Sequence, residues 1–165
     1  MQRAALGEDG RWSLPISVRM LEHRSRGRLL FQTADPSALP GIDPQMVVHP
    51  DDVKALVAGM EFVRDLAGTK PMRTFYGPLI EPKEGEDWAR FAQKQYDSFH
   101  HGVGTCMMGP SSNPMAVVGQ RLRVHGVSNL WVADASILPT IPHAPTNLTC
   151  IMIGERVADF LRSSP

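Results

Sequence analysis

Two adjacent histidines, His100 and His101, lead into a glycine-rich stretch in the sequence SFHHGVGTCMMG, residues 98–109. Histidine accepts and returns a proton near neutral pH, and glycines let the backbone approach another group closely. The residue types therefore allow three interpretations: a metal site, a catalytic base on a tight loop, or an ordinary turn that contains histidine.

The metal and nucleophilic-cysteine interpretations both lack the residues that they need. The candidate ligands show no recognised metal-binding spacing: His100, His101, Cys106 and His125. No second motif directs a base at Cys106, and Cys106 and Cys150 are typical of small buried hydrophobic residues. We therefore predict no bound metal and no cysteine nucleophile, which leaves a histidine base or a turn.

Composition restricts the class of protein. The chain has 165 residues, 42% of them hydrophobic, which is enough to bury a core in one domain. Its 17 basic and 17 acidic residues give no electrostatic reason to expect a nucleic-acid or membrane-surface partner. No apolar run is long enough to span a bilayer. Two cysteines are too few for a disulfide framework, so we expect a cytoplasmic rather than a secreted protein.

Helical periodicity marks three segments. After Pro50 the apolar residues follow an i, i+3, i+4, i+7 stripe: Val53, Leu56, Val57, Met60, Val63 and Leu66. Asp51 or Asp52 is the expected N-cap and Gly68 the expected C′ glycine. A shorter amphipathic helix is predicted over 87–98, and a last helix over 146–162.

Strand patterns are shorter and less regular. Residues 12–21 and 27–35 have strand length and composition and are predicted to be two strands, in a possible hairpin across the turn 22–27. The proline-rich segment 35–50 is predicted to lack regular structure, and the segment 70–86 is predicted to be another proline- and glycine-rich connection. Further strand-like pieces occur around 116–119, 122–126 and 130–136. Together with the helices, these patterns predict an α+β fold.

Three sequence blocks, taken together, carry a family resemblance. They are HHGVGTCMMGP, AVVGQRLRVHGVSNLWVADASILPT and NLTCIMIGERVADFL, and upstream of them SRGRLLFQTADPSALPGID precedes DDVKALVAGMEFVRDLA. In order and spacing the chain resembles the C-terminal part of the glucose–methanol–choline (GMC) oxidoreductases. The resemblance covers residues 13–162, with 13–97 similar to part of the substrate domain and 98–162 similar to the segment that carries the catalytic histidine and completes the FAD-binding domain.

The resemblance implies an FAD-dependent enzyme that oxidises the CH–OH group of a small alcohol or sugar. The family's base is the histidine before Gly/Pro-x-Gly-Thr, which is His101 here, and hydride passes to the flavin N5. Asp134 and Ala135 match positions near the ribityl–pyrophosphate part of FAD. Thr146 and Asn147 match backbone positions near the isoalloxazine ring.

The chain departs from the family pattern at two places. Counting back without gaps from IGER, the family's second active-site His or Asn falls on Pro145, so His143, slightly favoured, or Asn147 would have to replace it. The G-x-G-x-x-G domain that binds the ADP half of FAD has no counterpart here. The resemblance therefore implies a fragment of a larger two-domain flavoenzyme, with Met1 internal, that lacks its N-terminal partner domain and is inactive alone.

Two alternatives to alcohol oxidation stay open at this point. One is a lyase on the same scaffold, similar to the hydroxynitrile lyases, in which flavin is present without redox turnover. The other is a non-catalytic remnant that serves only in binding or assembly. Arg123 resembles a cationic position near the site in some members, although a surface arginine fits the sequence better.

Overall fold

The computed structural model describes residues 4–163, which form two compact units. The first unit contains residues 4–20, 24–26 and 45–97, and the second contains 21–23, 27–44 and 98–163. Helices and short strands occur in both, which confirms the α+β prediction. Among the described residues, no helix is both long and apolar enough to cross a bilayer.

Three helices dominate the first unit: α1 at Pro50–Ala67, α2 at Lys70–Arg73 and α3 at Trp88–Gln95. The Arg64 guanidinium of α1 lies 5.1 Å from the centre of the Trp88 ring of α3. Asp87 caps α3 by accepting hydrogen bonds from the backbone N–H groups of Ala89 and Arg90. The connection predicted over 70–86 begins with the four residues of α2.

The ends of α1 differ from the prediction. His49 is the N-cap, because its Nδ1 accepts from the Asp51 N–H at 3.2 Å and Pro50 occupies the first turn. Neither Asp51 nor Asp52 has the predicted capping role. Gly68 is the C-cap with a right-handed φ of −74°, so the left-handed conformation expected of a C′ glycine is not used.

The Asp52 carboxylate ties α1 to an earlier segment instead. It is 3% exposed and accepts from the backbone N–H of Ser25 at 2.7 Å and of Arg24 at 2.9 and 3.2 Å. The Ser25 hydroxyl in turn accepts from the N–H groups of Val48 and His49. Segment 24–26 is therefore fastened to the start of α1.

The predicted pairing of strands 12–21 and 27–35 is wrong. In the first unit, β1 (Ala5–Leu6) pairs antiparallel with β2 (Trp12–Ser13), and Pro15, without an N–H, follows shortly after β2. In the second unit, β3 (Arg28–Leu30) pairs antiparallel with β4 (Gly41–Asp43), which lies inside the segment predicted to be irregular. Backbone pairing across the 31–40 loop therefore outweighs the prolines on either side of β4.

The core of the second unit forms around residues that come from connecting segments as well as from a helix. Four buried side chains make the cluster: Val118, Leu122, Ile137 and Ile153. Ile153 belongs to α4 (Thr146–Arg162), whose bounds agree with the prediction, and Ile137 to a 3₁₀ turn at Ala135–Ile137.

The strand-like pieces of residues 116–136 do not form strands. They make only isolated bridges, between Met108 and Val118, Val118 and Val124, and Arg123 and Trp131. Residues with positive φ angles lie at both ends of the piece 122–126 and just before the piece 130–136, at Leu122, Gly126 and Asn129. The prediction of strands here is therefore wrong because left-handed residues turn the chain before a ladder can extend.

Candidate active site

His101 is held at the first turn of α4. Its ring Nδ1 lies 2.9 Å from the Thr146 Oγ1, and Thr146 is only 8% exposed. The Phe99 ring meets the imidazole edge-on, with ring centres 5.2 Å apart and planes at 82°. Within residues 4–163, Nδ1 is the only ring nitrogen of His101 that is hydrogen-bonded. The half-buried imidazole is thus held on two sides, and its Nε2 keeps its hydrogen-bonding capacity.

Backbone hydrogen bonds hold the loop that follows His101 in place. Gly104 has a φ of +89°, a left-handed conformation that side chains disfavour. Beyond it, the Cys106 N–H donates to the Ser136 carbonyl at 3.0 Å and the Met108 N–H to the Ile137 carbonyl at 2.8 Å. The glycine-rich loop is therefore fixed to the 3₁₀ turn whose Ile137 lies in the core.

The amino end of α4 is open to an acceptor. Pro145 is its N-cap and, having no polar side chain, caps none of the N–H groups of the first turn. Such a helix end combines free donors with a partial positive charge and so favours negative charge nearby. Because Thr146 begins this helix, the His101 ring and the open helix end lie side by side.

Asp134 and Ala135 lie at the 3₁₀ turn. The exposed Asp134 carboxylate caps the turn by accepting from the Ser136 N–H at 2.8 Å and from the Ser136 hydroxyl. The side chain of Asp134 is thus used locally. Any contact with a ligand at these two residues would come from the backbone, as the resemblance implies.

The two candidates for a second active-site residue have different surroundings. The His143 Nε2 lies 2.9 Å from the Glu22 Oε1, and both side chains are largely exposed. Asn147 is exposed in the first turn of α4, directly after the residue that contacts His101. The structure therefore joins His143 to Glu22 and gives Asn147 the position next to the His101 contact.

The remaining candidates lie outside this arrangement. His100 is exposed and left-handed, with a φ of 60°, and its N–H donates to the Ser98 hydroxyl. His125 Nε2 donates to the Gly109 carbonyl at 3.0 Å, because a carbonyl oxygen can only accept. Arg123 is exposed and stacks over the Trp131 ring at 5.6 Å.

Cys106 and Cys150 are free thiols and only half-buried. Among residues 4–163, no group of three or more histidine, cysteine, aspartate or glutamate side chains is arranged to hold a metal ion.

Sequence reasoning missed the contacts that hold the two histidines. Thr146 was expected to contribute its backbone, whereas its side chain contacts His101; Phe99 and Glu22 were not singled out. The only sequence signal was Thr146 at the predicted start of a helix, because a contact across 45 residues of chain leaves no local pattern.

Comparison with known proteins identifies the family. The sequence model of the GMC oxidoreductases, for their C-terminal domain, matches residues 23–154. The chain belongs to the GMC oxidoreductase family. FAD is the cofactor of this family, and the predicted recognition and cofactor are confirmed at that level.

Named GMC relatives are similar along most of the chain. Glucose dehydrogenase [FAD, quinone] of Drosophila melanogaster is 36% identical over 161 residues, which are 91% of this chain and 26% of that protein. Choline oxidase of Arthrobacter globiformis is 35% identical over 155 residues, 90% of this chain and 28% of that protein. The chain thus spans about a quarter of the length of these GMC enzymes.

Solved structures of related enzymes have a similar fold. A fungal aryl-alcohol oxidase has a TM-score of 0.73 and 31% identity, with 86% of this chain and 24% of that chain covered. An FAD-dependent oxidoreductase from Chaetomium thermophilum has a TM-score of 0.77 and 25% identity, with 86% and 25% covered. These structures share the fold of this chain.

Proposed function

We propose that this chain supplies the catalytic histidine and part of the flavin site of an FAD-dependent enzyme that oxidises a small-molecule alcohol. The observation that carries the proposal is the contact between His101 Nδ1 and Thr146 Oγ1 at the open amino end of α4. It unites a proton acceptor and a site for negative charge, which are the two features that the oxidation requires. Membership of the GMC family supports the same reaction class.

His101 is proposed as the general base. Its Nε2, the ring nitrogen left without a partner among residues 4–163, takes the proton of the substrate hydroxyl. Removing that proton raises the electron density on the hydroxyl oxygen and so favours departure of hydride from the carbon that carries this oxygen. FAD, when bound, supplies the acceptor for the hydride. Phe99 and Thr146 hold the imidazole, which limits the reorientation needed before proton transfer.

The first turn of α4 is proposed to bind the edge of the flavin ring that carries hydrogen-bond acceptors. No side chain caps its first turn, and this supports the proposal that the N–H groups at Thr146 and Asn147 would donate to the pyrimidine edge of a bound flavin. The positive end of the helix dipole at Thr146 would stabilise negative charge on the flavin bound there. The backbone at Asp134 and Ala135 is proposed to meet the ribityl–pyrophosphate part of the cofactor.

For the second active-site residue, the structure favours Asn147 over His143. Asn147 follows Thr146 directly, and its amide can donate to the substrate oxygen. His143 is occupied by the Glu22 carboxylate at 2.9 Å. We therefore propose Asn147 for this role, in place of the slight preference for His143 that the sequence suggested.

A further domain is proposed to cover α4 and to bind the rest of FAD. Leu148, Ile151 and Met152 are 76%, 56% and 52% exposed and lie on one face of α4 at i, i+3 and i+4 spacing. Such a contiguous apolar stripe is typical of an interface. Relatives about four times as long as the matched region have ample chain for such a domain.

The test is anaerobic flavin reduction by an alcohol in the FAD-loaded protein that contains this chain. His101→Ala should lower the reduction rate by about 10²–10⁴-fold, the range for loss of a general base. His100→Ala is the matched control, because His100 is the exposed neighbour and should leave the rate nearly unchanged. In the same assay Asn147→Ala should reduce the rate more than His143→Ala.

Two outcomes would refute the proposal. Equal rates for His101→Ala and the unmodified protein would remove His101 from the base role. A flavin that no alcohol bleaches, across sugars, choline-like amines, long-chain and aromatic alcohols, would favour a lyase or a non-catalytic binding role.

A further inference from the structure

The state of the His101 ring depends on how Thr146 uses its hydroxyl. A neutral imidazole carries one N–H, on Nδ1 or on Nε2, and the other nitrogen accepts. A threonine hydroxyl can donate or accept. The 2.9 Å contact between Nδ1 and Oγ1 is therefore compatible with two tautomers.

Only one of these tautomers leaves a base at Nε2. If the Thr146 hydroxyl donates to Nδ1, the proton of the neutral ring is on Nε2, which then cannot take a proton from substrate. If Nδ1–H donates to Oγ1, the Nε2 lone pair is free. Because no other hydrogen bond to the ring is present among residues 4–163, Thr146 is the one described residue that selects between them.

We propose that Thr146 is a positioning residue that accepts the hydrogen bond from His101 Nδ1–H and so keeps Nε2 unprotonated in the resting enzyme. The inference rests on the proposed function of His101, to which it adds a tautomer and the residue that fixes it. Burial supports a fixed role, since Thr146 is 8% exposed and water has little access to compete for its hydroxyl. Its place in the first turn of a 17-residue helix fixes the backbone that carries this side chain.

Thr146→Val tests the hydroxyl with little change of shape, because valine keeps the branched side chain and fills the same space. We expect flavin reduction at saturating alcohol to slow by about 3- to 10-fold, the range for one lost hydrogen bond, with KM nearly unchanged. Thr146→Ser, which restores the hydroxyl, should return the rate to within about twofold. Rescue by serine attributes the loss to the hydroxyl, and an unchanged unfolding midpoint of the valine variant shows that it is folded.

The decisive measurement is the ¹⁵N chemical shifts of the His101 ring in resting, FAD-loaded protein labelled at histidine, with His101→Gln used to assign them. We expect shifts typical of a protonated Nδ1 and an unprotonated Nε2. Thr146→Val should move both toward a mixture of tautomers. Thr149→Val, the control one turn further along α4, should not move them.

The outcomes separate this inference from the proposed function. A proton on Nε2 in the resting protein, or shifts and rates that Thr146→Val leaves unchanged, would overturn the role of Thr146, while a slow His101→Ala variant would still support the base. Conversely, a protein that oxidises no alcohol but shows the Thr146-dependent tautomer would refute the function and retain the positioning role.

Discussion

Removing the buried carboxylate of Asp52 should release segment 24–26 from the start of α1. Asp52 is 3% exposed, and its carboxylate accepts hydrogen bonds from the backbone N–H groups of Arg24 and Ser25. In Asp52→Ala these two donors lose the carboxylate that accepts their hydrogen bonds. Asp52→Asn retains one acceptor oxygen, so its effect should be smaller.

The size of the effect follows from the two donors. A hydrogen bond to a charged group contributes about 1.5–3 kcal/mol, so two would give about 3–6 kcal/mol. Arg24 is exposed and Ser25 half-buried, so water can reach the released N–H groups and reduce the loss. We therefore expect about 2–4 kcal/mol for Asp52→Ala and about 1–2 kcal/mol for Asp52→Asn.

Hydrogen exchange followed by mass spectrometry measures this opening within the whole protein. Since about 1.4 kcal/mol is a factor of ten in an equilibrium, amides of segment 24–26 should exchange roughly 30- to 700-fold faster in Asp52→Ala. Asp51→Ala is the control. Asp51 is half-exposed in its ion pair with Arg24, and such pairs contribute about 0.2–1 kcal/mol. Asp51→Ala should therefore accelerate the exchange of these amides by less than about tenfold.

Equal acceleration of exchange in Asp51→Ala and Asp52→Ala would show that the Asp52 carboxylate does not hold segment 24–26. Acceleration in Asp52→Ala that spreads evenly over the second unit would contradict the same role, because the two lost hydrogen bonds lie within the first unit.

Two further predictions concern the second unit. Gly104→Ala should destabilise the protein by about 1–2 kcal/mol relative to Gly102→Ala, because Gly104 has a φ of +89°, which alanine disfavours. A methyl group added at Gly102 would meet open space, so Gly102→Ala is the control. Urea unfolding followed by flavin fluorescence compares the two variants, and equal unfolding midpoints would contradict backbone strain at Gly104. Ile153 is in the core at 4% exposure, so Ile153→Ala should lower the free energy of unfolding by about 2–5 kcal/mol and Ile153→Val by about 0.5–1.5 kcal/mol. Both losses are measured as faster amide exchange in α4. Equal effects of the two substitutions would show that the side chain is not tightly packed.

Local signals predicted the helices well. The apolar stripe after Pro50 and the pattern over 146–162 correspond to α1 and α4, because helical periodicity is set by neighbours within a few residues. The strands were predicted poorly. β3 pairs with β4 across a loop rich in proline, and no local pattern specifies which distant segment supplies the partner N–H and C=O groups.

The capping of α1 shows the same limit at one residue. Asp51 and Asp52 have the composition of an N-cap, yet Pro50 starts the helix after His49 and Asp52 bonds a segment 27 and 28 residues away. Competition between a local and a distant partner for one carboxylate is decided by packing. The residue type alone does not reveal it.

The sequence by itself determined the family and most of the helices, because motif order and short-range periodicity are carried by neighbouring residues; the base role of His101 is a prediction from the same motif. Only the tertiary structure decided which side chains hold that histidine. It brought Thr146 within 2.9 Å of His101 and left His143 with Glu22, through contacts across 45 and 121 residues of chain. Such contacts depend on how the loop, the 3₁₀ turn and α4 pack around one core, which no local pattern encodes.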